Sequence, residues 1–99
     1  MDGESDEEPG LLPGSDLVRQ GVDDLRRGRH TSAALLVAIG ARRLRAAGVA
    51  VPIETVDDPE IRLYELLAQK DPDGAHGRYN ALLRLLTSFE RAAERATTR

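Results

Sequence analysis

Tyr79, Leu82, Leu83, Leu86, Phe89 and Ala93 return every three or four positions, a spacing that lines one face of an α-helix and cannot line one face of a strand. A second segment, Ala33 to Leu44, is apolar almost all round until Arg42 and Arg43. It predicts a central helix covered by neighbours. In 99 residues these two segments leave room for one small core. The expected fold is therefore all-α: a small four-helix bundle of two antiparallel helical hairpins, 16–47 and 59–96, joined by short connections. The expected helical domain covers 15–97.

Local signals place the ends. Ser15 is a candidate N-cap with Asp16 in the first turn, and Arg26, Arg27 and Gly28 close that first helix. Leu17, Val18, Val22 and Leu25 form its stripe. Gly21 inside it costs on the order of 1 kcal/mol relative to Ala, which close packing must offset. Thr31 is the expected cap of the second helix, which runs to Gly48, with Val49 and Pro52 beyond as a C-terminal stop. Gly40, in mid-helix, favours a close crossing by another backbone.

The segment 49–56 is β-branched and broken by Pro52. Having no partner strand, it reads as a connector whose Val51, Ile53 and Val56 cover the end of the core. With Asp58 as the expected cap, Asp58-Pro59-Glu60 starts a third helix running to about Gln69, with Ile61, Leu63, Tyr64, Leu66 and Leu67 apolar. Asp71-Pro72-Asp73-Gly74 is turn chemistry, and the fourth helix follows.

Net charge is −3, yet it alternates along the chain. Residues 1–16 carry −6, Arg19–Arg45 +5, Glu54–Asp73 −5 and Arg78–Arg99 +3. Such segregation allows neighbouring helices, or two copies, to attract across their rims. The first 14 residues, MDGESDEEPGLLPG, read as a disordered acidic tail able to fold over the basic surface of its own domain. Thirteen of the fourteen basic residues are arginine, the usage of a GC-rich bacterial genome. No apolar run reaches the 18 or so residues that span a bilayer, and no basic-then-apolar leader opens the chain. A soluble cytoplasmic protein without membrane contact is expected.

Several chemistries lack their residues. With no cysteine there is no disulfide, thiolate zinc site or cysteine nucleophile. His30 and His76 stand in different connections, and no pair of ligands shares a helical face. No phosphate loop or nucleophile elbow is present. Neither a catalytic residue nor a cofactor or metal is assigned.

The polar face of the last helix is the suggestive feature. His76, Asn80, Arg84, Thr87 and Arg91 make one ribbon with Arg78 and Tyr79 beside its start, a candidate recognition surface for a polyanion or an acidic partner helix. Next to it Gly77, Ala81, Ser88 and Ala92 are small. Either the second helix packs there, or a twofold dimer crosses there. Arg26, Arg27, Arg29, Arg42, Arg43 and Arg45 are candidate anion contacts, provided they gather on one side. The second helix is too apolar to read a DNA groove. The leading expectation is a non-enzymatic protein–protein interaction module, homodimeric. The alternative is a nucleic-acid-binding accessory protein that touches phosphates through its arginine clusters.

Overall fold

The computed structural model of the protein describes residues 12–53 and 56–97. Five helices follow in order: α1 (Ser15–Arg26), α2 (Ser32–Ile39), α3 (Ala41–Ala46), α4 (Pro59–Lys70) and α5 (Ala75–Thr97). The described residues contain no strand. The all-α expectation is met, but the helix count of four is corrected to five.

The extra helix arises at Gly40. There the backbone (φ −97°, ψ 14°) ends α2 and starts α3. A glycine interior to a helix holds the helical conformation weakly. Here α5 presses on it: a Cβ at Gly40 would lie 2.5 Å from Glu90 Oε2 and 3.1 Å from Leu86 Cδ2. The position is thus both a close crossing and a break. It lets α2 pack on α1, α4 and α5 while α3 turns along α5.

Direction follows from the contacts. Asp24 meets Thr31 while Gly21 meets Ala33 and Val37, so α1 and α2 are antiparallel. Gly40 meets Leu86 and Glu90 while Arg43 meets Glu90 and Glu94, so α3 and α5 run the same way. The core is one cluster around the fully buried Leu36, Val37, Leu44 and Leu63.

The glycine stops behave as their chemistry requires. Gly28 (φ 73°) and Gly48 (φ 95°) are left-handed. Arg29 N–H donates to Asp24 O and Val49 N–H to Leu44 O, and each bond closes its helix in a Schellman motif. Thr31 caps α2 as expected: its Oγ1 accepts from Ala34 N–H and donates to Asp24 Oδ2 at 2.6 Å. Asp24 is buried, so this bond also provides for a polar group removed from water.

Four local expectations are corrected. Ser15 is not the cap of α1. It is the first helical residue, and left-handed Gly14 (φ 76°) stands at the cap, close over Leu85. Asp58 precedes α4 in a left-handed conformation without a side-chain capping bond. Ile53 is 88% exposed, because the extended chain turns Val51 inward and Ile53 away. On α4 the inward pair is Leu63 and Leu67, while Ile61, about 200° around the helix from Leu63, is 58% exposed.

Of the expected acidic tail, residues 1–11 lie outside the described residues. Leu12 is partly buried against the core cluster. Ser15 N–H donates to its carbonyl.

Candidate interaction surface

Helix α5 has sorted its charges. Glu90 is buried and Glu94 half-buried, and both turn toward α3. Arg43 Nε donates to Glu94 Oε2 at 2.5 Å and Nη2 to Glu94 Oε1 at 3.0 Å, while Nη1 reaches Glu90 Oε1 at 3.2 Å. Arg78, Arg84, Arg91 and Arg95 are all exposed. At about 100° per residue, Arg84, Arg91 and Arg95 share one spine with Gly77, Ala81 and Ser88, opposite the side that buries Leu86 and Phe89.

The small residues differ in exposure, Ala92 being half-buried. Ala81 and Ser88 are exposed, and a Cβ at Gly77 would meet nothing within 4 Å. Helix α2 therefore does not cover them, and the face points outward. At its far end Pro13, Ser88, Arg91, Ala92 and Arg95 surround a shallow recess of about 490 Å³.

The expected ribbon divides into parts. His76 and Asn80 belong together, with Asn80 Nδ2 3.2 Å from His76 Nε2. Tyr79 is half-buried and meets Tyr64 edge-on at 5.3 Å, and Tyr64 also lies 6.4 Å from the His76 ring. Two of the chain's three aromatic side chains thus sit at the α4–α5 edge. Sequence periodicity had assigned Tyr64 to the apolar stripe, but it is 38% exposed. Its signal was only its place three residues after Ile61, on the side of α4 away from Leu63. Arg84 and Arg91 lie on the outward spine. Thr87 instead borders a groove between α3 and α5, beside Leu83, Leu86 and Glu90. Arg78, two residues after His76, leaves the helix on a different side.

The six arginines proposed as anion contacts have varied employment. Arg27 pairs with Asp23 at 3.3 Å. Arg43 holds the two α5 carboxylates. Arg45 donates to the carbonyls of Val51 and Pro52, at 3.2 and 2.5 Å, and so fastens the connector to α3. Arg26 and Arg29 are exposed around the end of α1, and Arg42 is exposed at the α3–α5 groove. Arg26 also borders a recess of about 720 Å³ beside α1, whose rim mixes Asp16 and Asp23 with Arg19. Arg26 and Arg42 thus border different recesses.

The carboxylates that Arg43 holds respond to pH in opposite senses. Burial pushes Glu90 above the ordinary carboxylate range, against the pull of Arg43 and with a push from Glu94. The hydrogen bonds from Arg43 draw Glu94 below it. A proton held more tightly in the folded chain stabilises it at low pH. Glu90's contribution is therefore lost as pH rises from the ordinary range through its raised folded value. Glu94's contribution is present above the ordinary range and lost as pH falls through its lowered folded value. Urea unfolding at a series of pH values should show Glu90→Gln flattening the slope on the upper side and Glu94→Gln flattening the acid side. Exchanged effects would show that the burial has been misjudged.

Among the described residues no group of three or more histidine or acidic side chains could hold a metal ion. No helix among them is long and apolar enough to cross a membrane. No protein-family model, curated protein or solved structure matches this chain.

Proposed function

We propose that the chain is a non-enzymatic helical interaction module of the cytoplasm that docks an acidic partner helix on the outward face of α5. One observation carries this reading: Arg43 holds the α5 carboxylates Glu90 and Glu94, while Arg84 and Arg91 stand exposed beside side chains no larger than alanine or serine. Small residues allow a second helix to approach closely, so that flanking arginines reach its carboxylates. The Tyr64–Tyr79–His76 edge, on the α4 side of α5, adds residue types enriched where proteins bind each other.

A homodimer is the self-associating form of this reading. Two copies crossing on Ala81 and Ser88 would bring Arg84 and Arg91 near their own counterparts, so association should strengthen with salt. Sedimentation at low and high salt measures this. The nucleic-acid alternative, with contacts at Arg26, Arg29 and Arg42, would have to draw Arg27, Arg43 and Arg45 from internal partners.

The test is titration of the isotopically labelled chain with a glutamate-rich amphipathic helical peptide and, separately, with a short DNA duplex. The expected result is peptide-induced shifts at Ala81, Arg84, Ser88 and Arg91. Arg84→Glu with Arg91→Glu should weaken that binding about tenfold or more, equivalent to about 1.4 kcal/mol. Duplex binding without peptide binding, with affinity falling steeply between about 50 and 200 mM salt, would replace this reading with the nucleic-acid one.

A further inference from the structure

Leu12, Pro13 and Gly14 lie beside the C-terminal half of α5, where Arg91 and Arg95 stand among Glu90 and Glu94. Residues 2–8 contain Asp2, Glu4, Asp6, Glu7 and Glu8 and no base. Leu12 packs on the core, Gly14 sits over Leu85, and Pro13 shares the recess with Ser88, Arg91, Ala92 and Arg95. Pro13 thus stands next to Arg91 on the outward face, while Leu12 lines the recess beside α1 with Phe89, Ala93 and Ala96.

We propose that residues 2–8 dock along the outward face of α5 as an intramolecular competitor for the acidic partner, a proposal that rests on that face being a docking surface. Reach and charge both fit. From Leu12 back to Glu8 an extended chain covers about 13 Å, and Arg91 to Arg84 along α5 is about 10 Å. Acids at 4, 6, 7 and 8 can therefore lie along the spine that carries Arg84 and Arg91. Of the α5 carboxylates, Glu90 and Glu94 both pair with Arg43, which offsets their repulsion, and Glu94 also lies close enough to act on Arg91. A tethered segment acts at high effective concentration, so even weak ion pairs compete with a partner arriving from solution. Because the pairs lie at the surface, added salt releases them.

The absence of native cysteine makes the test clean. A spin label attached through Ser5→Cys in the full chain should broaden the amide signals of Arg84, Ser88 and Arg91. The broadening should fall at least about twofold between about 50 and 500 mM salt, as screening requires. Adding Glu4→Gln, Asp6→Asn, Glu7→Gln and Glu8→Gln together should abolish it, and should tighten binding of the glutamate-rich peptide. Broadening confined to residues near 12–16, or insensitive to salt and to neutralisation, would overturn the proposal, as would broadening centred on Arg26, Arg29 or Arg42. The two readings fail separately. If the neutralised chain binds the peptide but the label reports no contact, only the tail proposal falls. If the label reports contact but the neutralised chain ignores the peptide, the docking-face function falls.

Discussion

Leu36→Ala should destabilise the fold by about 2–5 kcal/mol, enough to leave a chain of this size partly unfolded. Leu36 is 1% exposed in the helix that touches α1, α4 and α5, so surrounding side chains cannot all collapse into the space left behind. Urea unfolding followed by far-ultraviolet circular dichroism measures the loss. Leu83→Ala is the informative comparison. By periodicity Leu83 belongs to the same interior as Leu36, but in the fold it is half-buried at the open groove between α3 and α5. Solvent already reaches one side of it, so its truncation removes less buried surface and should cost distinctly less. Equal losses at the two positions would show that the groove is closed in solution.

Gly21→Ala should cost about 2 kcal/mol or more, although alanine favours a helix interior by about 1 kcal/mol. A Cβ at this position would overlap the Ala33 carbonyl oxygen and come within 2.5 Å of Val37 Cγ2. Side-chain rotation cannot relieve a clash with a backbone carbonyl, so α1 would have to move away from α2, opening the contact around Asp24 and Thr31. Gly77→Ala is the control on the same residue type: open space surrounds it, so the helix preference acts alone and stability should rise by up to about 1 kcal/mol. A stabilised Gly21→Ala variant would mean that α1 and α2 do not pack as closely as Gly21 allows.

The candidate surface was only partly legible. Gly77, Ala81, Ser88 and Ala92 can be picked out as a small-residue face, but helical spacing does not say whether another helix covers it. Residues at 100° intervals define faces, while the assignment of those faces to core or solvent depends on which neighbours arrive. Tyr64 shows the same ambiguity from the other side. Its apolar character placed it with Leu63 and Leu67, but only a narrow strip of α4 meets α2 and α5, and the tyrosine stands at its margin. The six arginines between 26 and 45 form a cluster by count alone. Their partners come from segments distant in sequence, as in Arg43 with Glu90 and Glu94, or from the connector that Arg45 fastens.

Local chemistry in the sequence was sufficient for the helical class, for the glycine stops at 28 and 48, for the Thr31 cap and for the turn before α5. Each depends on residues a few positions apart, and such interactions act within one segment whatever surrounds it. Tertiary structure alone decided the break at Gly40, the pairing of Glu90 and Glu94 with Arg43 and the outward display of the α5 arginines. Those depend on the approach of α5 to α3 across some fifty residues of chain, an encounter set by how the whole core packs.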